Sequence, residues 1–206
     1  KGEWCGNPVR PEIANLAAPE QRMAGREGLP RLLVLGGSRG ALAINQMLPA
    51  ALALIEPSQR PQVRHQTGKL HCAATQALYD AAAVSAEVVP FIEQMDEAYG
   101  WADFAICRAG ALTVAELTSA GLGALLIPFP FAIDDHQTVN GQLLVKQGAA
   151  LMMPQGELTP ALLAEQITAL CDDSQRRLKM AVSARQLAKS GAAARVANVC
   201  LEVANV

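Results

Sequence analysis

Three short stretches carry residue types and spacings that could do chemistry, and each follows an aliphatic run. The first is Gly36-Gly37-Ser38-Arg39-Gly40-Ala41. Small residues let backbone N–H groups approach an anion, and a helix starting there adds partial positive charge. The stretch therefore reads as a phosphate-binding turn, with a tight strand-to-helix connection as the plainer alternative. It lacks the lysine of an ATPase loop and the full G-x-G-x-x-G spacing of a dinucleotide site.

The second stretch runs from Arg108 to Glu116, with Ala111, Leu112 and Thr113 opening a helix and Glu116 three positions past Thr113. A carboxylate on that face of the first turn can accept hydrogen bonds from a diol such as ribose; the alternative is a capping box, with Thr113 as cap and Glu116 at N3. The third is the proline-braced loop Pro128-Phe129-Pro130-Phe131 leading through Asp134-Asp135-His136-Gln137 to Asn140. Gln137 and Asn140 share a helix face, and their amides offer donors and acceptors suited to sugar hydroxyls. His136 is either a base or a hydrogen-bonding surface residue. Asp134 and Asp135 raise the question of a metal, but adjacent carboxylates point apart and serve equally well as helix N-terminal charges, so no metal is expected. Two smaller features complete the set. His65-Gln66-Thr67-Gly68 closes a strand and reads as a turn, and Phe91-Ile92 follows another strand end, where it either receives a flat base or packs in the core.

These stretches need a scaffold that brings strand ends together. Arg31-Leu-Leu-Val-Leu35 is a short aliphatic run ending in paired glycines, the mark of a buried parallel strand. The pattern then alternates: helix 40–54, strand 62–66, helix 70–83, strand 86–90, short helix 93–99, strand 102–107, helix 111–120, strand 123–128, helix 136–147 and strand 149–153. A βα repeat of this kind predicts a Rossmann-like, doubly wound parallel sheet, whose ligands sit at the C-terminal ends of the strands. Residues 1–30 read as a lead and linker, 31–154 as the nucleotide-binding core, and 155–206 as helices of the same domain covering one end of the sheet. Thr159-Pro160 predicts an N-cap and a first-turn proline.

Composition narrows the function classes. With 206 residues, 51% hydrophobic and 17% charged, the chain has the balance of one packed α/β domain. A net charge of -2 with scattered basic residues argues against nucleic acid as a partner. Five widely spaced cysteines without a C-x-x-C pair suggest reduced thiols, and the three histidines form no ligand pattern with them. No apolar run reaches the roughly 18 residues of a spanning helix. The start at Lys1, without methionine and running straight into Gly6-Asn-Pro-Val-Arg10, reads as the interior of a longer protein.

Taken together, Gly6 to Arg10, Gly36 to Ala41, His65 to Gly68, Phe91-Ile92, Cys107 to Thr113 with Glu116, and Pro128 through His136-Gln137 to Asn140 resemble the lipid II-forming N-acetylglucosaminyltransferase (MurG) family. Members of that family have a two-domain GT-B architecture, and the resemblance covers only the C-terminal half. It implies a cleft for UDP-N-acetylglucosamine. Uracil would meet Phe91 and Ile92, and the ribose hydroxyls Glu116. The diphosphate would lie against Gly37, Ser38, Ala111, Leu112 and Thr113 with Arg10 nearby, and the sugar would meet Gln137, Asn140 and His136.

The resemblance implies no cofactor, no metal and no catalytic residue in this chain, because the family's proposed histidine base lies in the other half. That half would also carry the lipid I site and the membrane contact at the cytoplasmic face of the bacterial inner membrane. The chain alone would bind donor without transferring sugar, and residues near 191–206, which in such enzymes return to the other domain, would be displaced or exposed. Arg39, Ala109 and Ala115 depart from the glutamine and two serines frequent in the family. Rival readings are a separately encoded donor-binding subunit, a lipid glycosyltransferase with another acceptor, and a nucleotide-binding module with no transferase role.

Overall fold

A computed structural model describes residues 5–37 and 41–204. Six strands, β1 (Arg31–Leu35), β2 (Gln62–Gln66), β3 (Glu87–Val89), β4 (Phe104–Cys107), β5 (Ala124–Leu126) and β6 (Ala150–Met152), form one sheet in the order β3-β2-β1-β4-β5-β6. Every pairing is parallel, with Leu32 of β1 beside Val63 on one flank and Phe104 on the other. The expected doubly wound sheet is therefore present, and the order reverses between β1 and β4, the switch point at which such folds open a crevice.

Alternation along the buried strands sorts the core into two layers. Leu32 and Val34 of β1, Phe104 and Ile106 of β4 and Leu125 of β5 face one cluster. Its helices are α3 (Leu42–Ala53), α4 (Cys72–Ala81) and α8 (Pro160–Asp172). Leu33, Leu35, Ala105, Cys107, Ala124 and Leu126 face the other, beneath α5 (Met95–Trp101), α6 (Ala111–Ala120) and α7 (His136–Lys146). The first layer is built on large aliphatic side chains, each fully buried leucine contributing roughly 1.5–3 kcal/mol. The second uses small residues on β4 and β5, which let its helices approach the sheet closely.

The lead is part of this packing. Two one-turn helices, α1 (Pro11–Ala14) and α2 (Pro19–Arg22), follow Arg10, and Ile13 enters the second layer almost fully buried. Arginines stitch the lead to the last carbonyls at helix ends, where cations are favoured: Arg22 donates to the carbonyls of Ala120 and Gly121, and Arg26 to those of Gly100 and Trp101.

The C-terminal helices depart from the expected placement. Thr159 Oγ1 does cap α8, accepting from Leu162 N–H at 3.2 Å, but α8 lies on a face of the sheet beside α3. It is α9 (Ser174–Gln186) that crosses the sheet's end, before β5, where Met180 Cβ stands 2.7 Å from the position a Cβ at Gly123 would take. The last helix, α10 (Ala192–Ala204), leaves Val196, Val199, Leu201 and Val203 exposed.

Candidate functional site

At the switch point the chain leaves β1 through Gly36-Gly37 toward α3 and leaves β4 through Arg108-Ala109-Gly110 toward α6. Both helices present their N-termini at the C-terminal edge of the sheet. A cleft of about 220 Å3 opens there, and Arg10, Gly37, Phe91, Ile92, Thr113 and Glu116 line it. Six of the expected donor-binding residues, drawn from four separate chain segments, thus converge. Ala111 and Asn140 line an adjoining pocket of about 110 Å3 between the lead, α6 and α7, while Leu112 and His136 are exposed and line neither. Ser38 lies outside the described residues.

Glu116 is the most constrained acid of the cleft. Its Oε2 accepts a 2.9 Å hydrogen bond from the Tyr99 hydroxyl, and its Oε1 faces the Arg10 guanidinium at 3.5 Å. Tyr99 is fully buried, and burial together with the adjacent carboxylate holds its phenol well above the ordinary range, so it donates and never ionises near neutrality. Arg10 is half exposed, so the ion pair contributes little stability, about 0–1 kcal/mol. Its position is nevertheless set from both sides: Asn7 Nδ2 donates to the Ala111 carbonyl, and the Arg10 carbonyl accepts the N–H groups of Ile13 and Ala14 in α1.

The capping-box alternative is overturned. Gly110 is the N-cap of α6, its carbonyl accepting from Val114 N–H at 2.9 Å, and neither Thr113 nor Glu116 makes a capping bond. Thr113 is the third residue of the helix, and Glu116 lies beyond its first turn. The carboxylate is consequently not spent on the helix end and faces the cleft.

The glycine turn departs from its simplest reading as well. Gly36 N–H donates to the Gln66 carbonyl at 2.8 Å and Gly37 N–H to Gln66 Oε1 at 3.0 Å, so neither glycine N–H is offered to an anion. The positive potential comes instead from the starts of α3 and α6. Arg108 braces the far wall, donating to the carbonyls of Ile127 and Pro128 at 3.0 Å each and to Gln155 Oε1, with its guanidinium over the Phe129 ring.

In the third loop, Asp134 and Asp135 both take left-handed backbone conformations, with φ of 51° and 50°, an arrangement costly for side-chain-bearing residues. Asp135 Oδ1 accepts from Thr138 Oγ1. Among the described residues no group of three or more His, Cys, Asp or Glu side chains is placed to hold a metal ion. Gln137 and Asn140 each commit half an amide to the protein. Gln137 Oε1 accepts from Phe129 N–H at 3.0 Å, and Asn140 Nδ2 donates to the Ala109 carbonyl at 3.1 Å.

His65 falls within the expected strand 62–66 and not in the turn that closes it. It lies inside β2, fully buried, with Nδ1 2.9 Å from the Tyr79 hydroxyl and Nε2 3.0 Å from Asn45 Oδ1. Asn45 Nδ2 donates to the Thr67 carbonyl, so its Oδ1 can only accept. The imidazole proton therefore sits on Nε2, and Nδ1 accepts from Tyr79. Burial pushes the imidazole down to about 3, keeping it neutral. The turn itself comes at Gly68, whose φ is 82°.

Residues 31–196 match the family model for the glycosyltransferase family 28 C-terminal domain. The chain belongs to this family. Among its family 28 relatives is a Marinobacter nauticus protein named UDP-N-acetylglucosamine--N-acetylmuramyl-(pentapeptide) pyrophosphoryl-undecaprenol N-acetylglucosamine transferase, 58% identical over 200 residues, 97% of this chain and 55% of that protein. A protein of the same name from Nitrosococcus oceani is 53% identical over 205 residues, 100% of this chain and 57% of its own length. The crystal structure of Acinetobacter baumannii MurG superposes with a TM-score of 0.85 at 40% identity, covering 92% of this chain and 55% of that one. The calicheamicin glycosyltransferase CalG4, at 21% identity and a TM-score of 0.61, shares the fold. The family 28 domain described here spans slightly more than half the length of the curated relatives it matches.

Gln66, Tyr99 and Arg108 carry much of this site's geometry, and none was singled out from the sequence. Gln66 stood inside a segment read as a turn. Tyr99 belongs to a short helix and reaches Glu116 only once α5 and α6 are packed side by side, a contact with no trace in local spacing.

Proposed function

We propose that this family 28 domain holds UDP-N-acetylglucosamine for an inverting transfer to lipid I, forming lipid II in peptidoglycan synthesis. The observation that carries the reading is the Glu116 carboxylate, held by Tyr99 at the mouth of a cleft whose other walls are two helix N-termini and the Phe91-Ile92 segment. A nucleoside diphosphate presents a flat base, a diol and an anion in that order. The names of relatives above 50% identity support N-acetylglucosamine as the sugar.

In this reading uracil lies on Phe91 and Ile92, the ribose hydroxyls donate to Glu116, and the diphosphate faces the starts of α3 and α6, with Ser38, Ala111, Leu112 and Thr113 supplying amides. Arg10, held only loosely to Glu116, can turn to the phosphates. The Gln137 NH2 and the Asn140 carbonyl oxygen, the halves of those amides not committed to the protein, would bind sugar hydroxyls, with His136 at the rim. When the acceptor hydroxyl displaces UDP from the anomeric carbon, negative charge grows on the leaving diphosphate. Helix dipoles and oriented amides stabilise it without reorganising. The acceptor site, the catalytic base and the peripheral contact with the cytoplasmic face of the inner membrane would belong to the remainder of the protein, whose product serves cell-wall growth, cell shape and division.

Calorimetric titration of the chain with UDP-N-acetylglucosamine, with UDP-glucose as competitor, tests this. Saturable binding that weakens in both Glu116→Ala and Asn140→Ala is expected. Folded wild-type chain that ignores the nucleotide sugar, or binds it equally well in both variants, would refute the assignment.

A further inference from the structure

We infer that Gln66 is a positioning residue that shapes the anion-facing turn through Gly37, a role that rests on the diphosphate placement proposed above. In the parallel ladder Leu35 pairs with Gln66, and β1 ends there. The chain cannot continue the ladder, because Gly37 swings into a left-handed conformation with φ of 71°. The Gln66 side chain continues it instead. Its planar amide acts as a surrogate peptide unit: Oε1 accepts from Gly37 N–H at 3.0 Å and Nε2 donates to the Gly37 carbonyl at 3.0 Å. The Gln66 main-chain carbonyl simultaneously accepts from Gly36 N–H at 2.8 Å.

Two features make this clasp more than a packing detail. A Cβ built on Gly37 would meet nothing within 4 Å, so the glycine is there for its left-handed φ and not for lack of room, and the amide bonds both polar groups of that residue. Gln66 itself is 5% exposed and lines the cleft, and the bond from Nε2 occupies the Gly37 carbonyl, whose negative end would otherwise be unpaired beside a diphosphate. The clasp thus neutralises an acceptor that would repel the ligand and fixes the Gly37 backbone at the end of β1. The Phe91-Ile92 segment follows β3, whose Val89 pairs with the Gln66 main chain, and Glu116 stands on α6; neither the base contact nor the ribose contact uses the Gln66 side-chain amide.

The test is a comparison of UDP with uridine on the full chain, wild type against Gln66→Leu and Gln66→Glu, by NMR titration. Leucine removes both side-chain bonds at similar volume. Ionised glutamate keeps the acceptor for Gly37 N–H, loses the donor to its carbonyl and adds a charge beside the phosphates. Both variants keep the main-chain bond from Gly36, and each is judged separately should one fail to fold. UDP affinity is expected to fall about tenfold with leucine, as for a turn that holds its binding geometry only about a tenth of the time, and further with glutamate, while uridine affinity changes less than about twofold. Variants that bind UDP as the wild type does, or that lose UDP and uridine in equal proportion, overturn the positioning role. Wild-type chain that binds UDP no better than uridine overturns the diphosphate placement beneath it.

Discussion

Replacing Tyr99 by phenylalanine removes one oxygen atom from a fully buried ring and isolates what the hydroxyl does for Glu116. The 2.9 Å bond runs to a charged acceptor, a class contributing about 1.5–3 kcal/mol. Glu116 keeps 23% of its side chain exposed, so water can take the vacated place, and the low end applies. A loss of about 1.5 kcal/mol in a domain of this size lowers Tm by roughly 3–6 °C. The larger consequence lies in the carboxylate's direction. Freed from Tyr99, it can swing toward Arg10 and no longer meets a diol in a prepared orientation. UDP affinity should fall about fivefold to tenfold, whereas 2′,3′-dideoxy-UDP, which has no diol, should bind wild type and variant alike. Because burial keeps the phenol protonated throughout, the difference should be constant from pH 6 to 9. Calorimetry with both nucleotides, beside thermal melts, decides the matter. Parallel losses for the two nucleotides, or a lowered Tm with unaltered UDP binding, would show that Tyr99 supports the fold and does not orient Glu116.

His65 makes stability depend on pH. Its folded value, about 3, lies below the ordinary 6.5, so the unfolded chain binds the proton first, and its contribution, intact above pH 6.5, is lost at up to roughly 1.4 kcal/mol per unit as pH falls toward 3. Urea melts between pH 7.5 and 5 should show a shallower decline for His65→Leu than for wild type; equal slopes would contradict a buried neutral imidazole. Asp103→Ala should cost about 3–5 kcal/mol, because the carboxylate is nearly buried and accepts from both the Arg26 guanidinium and Arg31 N–H at the start of β1, leaving Arg26 without its counter-charge. The urea midpoint should shift at constant m-value, and a change under about 1 kcal/mol would mean that the carbonyls around Arg26 suffice.

The order of elements was legible in the chain because its signals are local. The aliphatic run Arg31 to Leu35 ends in paired glycines, Thr159-Pro160 marks a helix start, and the βα alternation permits few sheets other than a parallel one. Six of the residues that line the cleft, Arg10, Gly37, Phe91, Ile92, Thr113 and Glu116, were legible too, since glycine pairs and helix-opening segments sit where strand ends must lie, whereas Gln66, Tyr99 and Arg108 were not. What the linear pattern did not hold is how polar groups are spent. Whether Glu116 caps its helix or faces a ligand depends on which residue begins α6, and Gly110 takes that place. Whether His65 turns the chain or lies buried depends on Asn45 and Tyr79, which arrive from α3 and α4. The hydrogen bonds of Gly36 and Gly37 are settled by Gln66, 29 positions away from Gly37. Secondary structure follows from periodicities of two and 3.6 residues, which any short window of sequence contains. The partner of a buried polar atom is chosen by which elements the sheet order places side by side, and only the tertiary structure supplies that order.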